Sequence, residues 1–384
     1  MNNPFKFGKE VTGYQFYDRK ESADELYRLL KDGVANVVLY APRRYGKTSL
    51  VVKVFEKFKN EDVPCIHFDI SKVSSLERFC EEYASAVYSL RGGFRETAHR
   101  ILEYVAHLHP TISGTLTGEK SIRFDYGSRM SSQSISDILD LPERLARETG
   151  GRPIVVAFDE FQEIAELSRE IPLESVFRSA IQAHRHVRYV FLGSKTHLMR
   201  RMFGERTSPF YKAAQNMKIG KPPLEESREY VVSRFAGAGL SVSPAAQERI
   251  LSDSANIPYY VQAISAYAFM TVERSGGTEV SADSVDEAVR RLLAAEGDYY
   301  EEVLHGLSSA QRSVLEALAA EPTGRFDERY RERHALPGLS TVHSSLDELV
   351  ESGILEKGGS GYDFGDPLFA RYVNTLSAST VYQK

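Results

Sequence analysis

Cysteine is scarce in this chain: Cys65 and Cys80 are the only two in 384 residues. Neither has a second Cys or a His at metal-ligand spacing, which excludes a disulfide scaffold and a zinc module and leaves two reduced thiols. No stretch approaches the run of about 18 uncharged apolar residues that a membrane span requires. Residues 1–10 carry no apolar signal segment either, so a cytoplasmic protein without a membrane partner is expected. An excess of one charge is also lacking, with 48 Lys and Arg against 53 Asp and Glu and a net charge of −5. Nothing global therefore points to nucleic acid or an acidic surface, and local patches must make that case. The ten histidines are scattered, and His184 with His186 shows no third ligand in the sequence, so no histidine metal site is expected. Internal repeats and low-complexity tracts are absent as well. What remains is ordinary globular composition, 42% hydrophobic and 26% charged, at a length that suits two or three domains.

The apolar runs that do exist are short and of strand type. NVVLY (36–40) leads through APRRYGKTS into a helical pattern, and CIHFDI (65–70) reads as a second buried strand before a helix predicted from Leu76 to about Arg91. Residues 110–134 lose helical period and become rich in Gly, Ser and Thr, an insertion expected to hold short strands or a hairpin. A helix is predicted over Ile135–Thr149, followed by two further apolar strands, PIVVAFDEF (153–161) and VRYVFLGS (187–194). Strands apolar on both faces imply a parallel sheet covered by helices. From about Leu224 helical patterns replace strands, and Ser308 to Val373 reads as three helices, one with a Ser/Thr cap before SSLDELVESG, then a turn-rich pair with a wing at 357–362. The expected organisation is an α/β core over 1–223, a helical domain over 224–304 and a winged helix-turn-helix over 305–384.

The loop between the first strand and its helix carries the chemistry. Anionic oxygens bind where backbone N–H groups converge at a helix N-terminus, with a Lys for the β and γ phosphates and a hydroxyl for Mg²⁺. In Ala41, Pro42, Arg43, Arg44, Tyr45, Gly46, Lys47, Thr48 and Ser49 those parts are Gly46 for close backbone approach, Lys47 and Thr48. Asp159 and Glu160 end the strand IVVAF and should emerge at the carboxyl edge of the sheet, where ligands of open α/β folds bind. Asp159 then suits the Mg²⁺ shell and Glu160 the attacking water, a constellation for ATP hydrolysis with ADP as product.

With these motifs in place, the chain resembles the archaeal-type ATPases of the STAND branch of AAA+ proteins, over nearly its whole length. That likeness implies a P-loop αβα sandwich, a helical lid and a winged helix. It implies that Phe16, Tyr17, Arg19 and Glu21 lie near the adenine and that Ser194, beside Lys195, senses the γ phosphate. It matches Lys212 to a basic residue after an aromatic, and Pro258 to a nucleotide contact in the lid, with Asn256 where the family carries Gly.

The winged-helix segment bears on the partner. From Ser308 onward eight basic residues face eleven acidic ones, a net of −3, and STVHSSLDELVESG has no Lys or Arg. Groove reading needs positive charge, so a protein partner through the C-terminal domains is expected, and charge does not support DNA. The expected activity is an ATP-driven switch. The alternatives are a nucleotide-dependent DNA-associated protein of a mobile element or a defence system, and a slow nucleotide-gated scaffold.

Overall fold

The computed structural model describes residues 2–8, 19–90, 103–114, 120–125, 130–167, 170–358 and 361–381. By its contacts the chain divides into two compact units. The first takes residues 19–41 and 47–219, and the second takes the turn Pro42–Gly46, residues 2–8 and the chain from Gly220 on.

The first unit begins with α1 (Lys20–Lys31), β1 (Val37–Tyr40), α2 (Lys47–Asn60), β2 (Cys65–Asp69) and α3 (Leu76–Tyr88). The hairpin β3 (Pro110–Gly114) and β4 (Lys120–Phe124) follows, then α4 (Ser132–Leu139), α5 (Leu141–Glu148), β5 (Ile154–Asp159) and α6 (Leu173–Ala183). It ends with β6 (Val187–Gly193), α7 (Thr196–Gly204) and β7 (Gln215–Lys218). The sheet order is β2-β5-β6-β1-β7, and every neighbouring pair is parallel. All five carboxyl ends therefore lie on one edge, the edge at which Tyr40, Asp69, Asp159 and Gly193 stop. Side chains alternate across the sheet. Ile66, Phe68, Val156, Phe158, Tyr189 and Phe191 join one core cluster with Phe79 and Tyr83 of α3. Phe158 is its hub, with ring centroids of Tyr83, Phe177 and Tyr189 within 6.0 Å. Fixing Phe158 fixes its neighbour Asp159.

Three expectations need correction here, and one strand is new. β2 is not apolar on both faces: it is an edge strand, so Cys65, His67 and Asp69 on its second face are only half-buried. The helix from Leu76 stops at Tyr88, where Ser89 adopts the cap position. The predicted single helix over 135–149 is two helices that meet at Asp140, with Pro142 in the first turn of the second, where its missing N–H costs nothing. β7 was not foreseen, because Gln215–Lys218 is polar and exposes three of four residues as an edge strand. The turn into β6 also explains two of the histidines. His184 binds Asp140 Oδ1 at 2.7 Å and the Tyr189 hydroxyl at 2.7 Å, while His186 Nδ1 meets Glu143 Oε1 at 2.9 Å.

The second unit contains α8 (Leu224–Gly237), β8 (Ser241–Val242), α9 (Pro244–Asp253), α10 (Pro258–Ser275), β9 (Glu279–Val280) and α11 (Ala282–His305). The two short strands pair in parallel, a small departure from the all-helical expectation. Then come α12 (Ser309–Ala320), α13 (Glu328–Arg333), α14 (Leu339–Glu351), β10 (Leu355–Lys357), β11 (Tyr362–Phe364) and α15 (Pro367–Val381), the order of a winged helix. Ser281 and Ser308 each close a capping box that starts α11 and α12. α14 lacks the expected Ser/Thr cap: its N-cap is Gly338, with no side-chain bond. Asp253 of α9 pairs with Arg371 of α15, which ties the winged helix to the helices before it.

Candidate nucleotide site

β1 ends at Tyr40 and α2 begins at Lys47, so six residues form the whole turn between them. Gly46 has φ +80, a backbone region open to Gly at no steric cost, and α2 can then start one residue later. Lys47 is buried at the first helical position and its Nζ donates to the Ala41 carbonyl at 2.7 Å. The ammonium thus spans the mouth of the turn, at a helix N-terminus whose dipole favours an anion.

β5 stands two strand spacings from β1, about 10 Å, with β6 between them. The first turn of α2 crosses that gap: Thr48 Oγ1 donates to Asp159 Oδ2 at 2.6 Å. Asp159 Oδ1 accepts the Glu160 N–H at 3.0 Å. Burial pushes the Asp159 carboxyl up, but the hydrogen bonds from His67 and Thr48 outweigh it and hold the group below the usual carboxylate range. The donor set suits Mg²⁺, which takes hard oxygens and keeps several waters. A hydroxyl and an ionised carboxylate in contact offer that chemistry.

Glu160 follows on a backbone of φ +50 and caps the 3₁₀ turn Phe161–Glu166. Its Oε2 accepts from Ser194 Oγ at 2.7 Å, from the Ser194 N–H at 3.3 Å and from Gln162 Nε2 at 2.6 Å, so three donors hold the carboxylate beside the end of β6. Gly193 makes room for this: a Cβ there would run into Met199 and lie 2.6 Å from Gln162 Oε1. Lys195 pairs with Glu163 at 2.9 Å.

The first unit therefore brings together Ala41, Lys47, Thr48, Asp159, Glu160 and Ser194 at one sheet edge. Ser49 lies in the first turn of α2, half-buried. Arg19 is buried at the N-cap of α1, Glu21 lies inside that helix rather than before it, and Phe16 falls outside the described residues. Arg43 is exposed. In the second unit, Pro42 and Tyr45 lie in the same turn as Arg44, whose φ is +72. Arg44 Nη1 binds Asp366 Oδ2 at 2.9 Å, and its guanidinium lies 4.7 Å and 4.9 Å from the ring centroids of Tyr259 and Tyr260. Pro258 opens α10 immediately before those tyrosines, and the Tyr259 N–H reaches the Arg44 carbonyl at 3.4 Å. Asn256 sits at φ +55, a conformation that Gly and Asn tolerate best.

Two residues at the site escaped the sequence reading. His67 Nε2 lies 3.2 Å from Asp159 Oδ2, and Gln162 holds Glu160. The available signal for His67 was a period of two, Cys65, His67, Asp69, inside an apolar strand.

A family described as "ATPase domain predominantly from Archaea" matches residues 16–221, more than half of the chain. This chain belongs to that archaeal ATPase family. A winged helix domain family matches residues 298–375. Among solved structures, the Walker-type ATPase PABY2304 of Pyrococcus abyssi is similar at 17% identity and a TM-score of 0.68, covering 96% of this chain and 99% of that one. The Aeropyrum pernix ORC2 protein, solved in ADPNP and ADP complexes, is 15% identical with a TM-score of 0.56, covering 98% and 99%. The Aeropyrum pernix ORC1 protein in complex with DNA is 14% identical with a TM-score of 0.50, covering 95% and 94%. At these identities the likeness shows the fold. No curated protein sequence matches the chain. The archaeal ATPase thus carries a parallel-sheet core and a C-terminal winged helix, and no described helix is long and apolar enough to cross a membrane.

Proposed function

We propose that this archaeal ATPase binds Mg-ATP, hydrolyses it to ADP and phosphate, and works as a nucleotide-driven switch of the STAND type. The observation that carries the reading is the 2.6 Å contact of Thr48 with Asp159, beside buried Lys47. Lys47 exchanges the Ala41 carbonyl for the β and γ phosphates, and the turn amides through Ser49 bind the remaining oxygens. Thr48 and Asp159 hold Mg²⁺, which when bound neutralises charge on the phosphate oxygens. Glu160 accepts a proton from water as the water oxygen bonds to the γ phosphorus, and the bond from that phosphorus to the bridging oxygen breaks, leaving its electron pair on ADP. Ser194, which donates to Glu160, exchanges it for the γ phosphate. On family likeness, Phe16 and Arg19 are assigned to the adenine and Pro258 to a nucleotide contact in the lid.

Arg44 supports the switch. One turn of chain carries both the amides for phosphate and a guanidinium bound to Asp366 next to the wing, while the Tyr45 hydroxyl reaches Glu356 Oε2 at 3.4 Å. A triphosphate that reshapes the turn must alter those contacts, and the effect is reciprocal. The C-terminal domains would then present a surface to a protein partner. DNA is the alternative, on the strength of the ORC1 relative's complex; the net charge of −3 after Ser308 weighs against it.

Phosphate release under saturating Mg-ATP tests the reading. Lys47→Ala should abolish nucleotide binding, and Glu160→Gln should retain binding but lose about 10²-fold or more of turnover. Native turnover in Glu160→Gln would remove that residue from its role.

A further inference from the structure

His67 lies outside the phosphate loop and the DE pair, yet it touches the same carboxylate oxygen as Thr48. β2 and β5 are parallel with His67 opposite Ala157 and Asp69 opposite Asp159. His67, Ala157 and Asp159 consequently share one face of the sheet, and Ala157 presents only a methyl group there. From that face the imidazole reaches the strand end, with Nε2 3.2 Å from Asp159 Oδ2. Thr48 Oγ1 meets that oxygen at 2.6 Å, and the Glu160 N–H takes Oδ1. The Asp159 side chain is 8% exposed and that of His67 22%, so water has little room to replace the imidazole.

We propose that His67 is a positioning residue for Asp159: its Nε2–H fixes the carboxylate in the rotamer that meets Thr48, so that the Mg²⁺-holding pair is formed before nucleotide arrives. The inference rests on the assignment of Thr48 and Asp159 to Mg²⁺ above. A neutral imidazole carrying its proton at Nε2 is sufficient, because the carboxylate only accepts. Groups that orient a metal ligand without touching the metal commonly change metal affinity by about 10–100-fold when removed. His67 itself contacts neither substrate nor phosphate, so its loss should appear in the metal and not in the nucleotide.

The test uses the full chain and three variants, His67→Ala, His67→Gln and Asp159→Asn. Binding of a fluorescent ATP analogue is measured in EDTA and in excess Mg²⁺, and Mn²⁺ binding is followed by electron paramagnetic resonance with a non-hydrolysable ATP analogue present. His67→Ala should weaken Mn²⁺ binding about tenfold and leave nucleotide affinity in EDTA within about twofold. His67→Gln, whose amide N–H reaches a similar position, should restore most of the Mn²⁺ affinity. Unchanged Mn²⁺ affinity in His67→Ala would overturn the proposal, as would an equal loss in EDTA and in Mg²⁺, the mark of a merely structural role. Failure of the underlying site looks different: Asp159→Asn would then bind Mn²⁺ as the parent does.

Discussion

Glu143 offers a perturbation whose size follows from the structure. It is a buried carboxylate, 2% exposed, on α5, and it accepts the N–H groups of Arg185 and His186, His186 Nδ1 and Arg147 Nε. Burial pushes its carboxyl up, but the bonds from His186, Arg185 and Arg147 win and bring it from 4.5 to about 2. Each tenfold loss of proton affinity in the folded chain corresponds to about 1.4 kcal/mol, so a carboxylate held this far down stabilises the fold by about 3 kcal/mol. Between those two values the unfolded chain binds a proton that the folded chain refuses, so stability rises with pH there. The contribution is complete above about pH 4.5 and is lost as pH falls toward 2. Glu143→Gln should therefore melt about 5–10 °C below the parent at pH 7 for a domain of this size. The gap should narrow in melts recorded from pH 5 to pH 3. Because three of the four donors belong to the turn into β6, upstream of Ser194, ATP turnover at 25 °C should change little. A variant that melts within 1 °C of the parent at pH 7, or a gap that does not close in acid, would refute the reasoning.

Two further substitutions probe the second unit. Asp366→Asn removes the charge opposite Arg44; the Arg44 side chain is 36% exposed, so the pair contributes at most about 1 kcal/mol to stability. The expected outcome is a few-fold faster release of a fluorescent nucleotide with an unchanged melting temperature, and an unchanged release rate would count against a switch through Arg44. At Asn256, Gly keeps the φ of +55 without strain and loses only the Nδ2 bond to the Pro222 carbonyl at 2.7 Å, whereas Ala loses the bond and adds strain. Asn256→Ala should lower stability by about 2 kcal/mol and Asn256→Gly by under about 1 in urea melts.

Much of the core was legible because it obeys local rules. Buried strands with apolar residues on both faces announced a parallel sheet, as with IVVAF, and a loop that needs Gly at positive φ announced itself through Gly46. What was illegible depends on neighbours distant in sequence. β7 has no apolar signature because it is an edge strand paired with β1, and Asp140, where residues 135–149 divide into two helices, binds the distant His184. His67 looked like one more core residue, since its role exists only in the register that sets it beside Ala157. Arg44 pairs with an acid 322 residues away, a partner that no local pattern identifies.

The partner question comes down to where cations stand on the winged helix. A module that docks on duplex DNA releases counterions in proportion to the phosphates it neutralises, with a log-log salt slope near −0.9 for each. α14, placed as the groove-reading helix, offers Ser, Thr, His and acids but no Lys or Arg over Leu339–Glu351. Its surroundings do not compensate: Arg333 is held by Glu321, and Arg371 by Asp253. Lys357 on β10 with the exposed Arg325 and Arg329 meets at most two or three phosphates, which predicts a slope shallower than about −3. A gel shift at two salt concentrations, with and without ATP, measures it. A slope of −5 or steeper in the presence of ATP would mean that cations outside this domain join the interface, and the protein-partner reading would then give way to DNA.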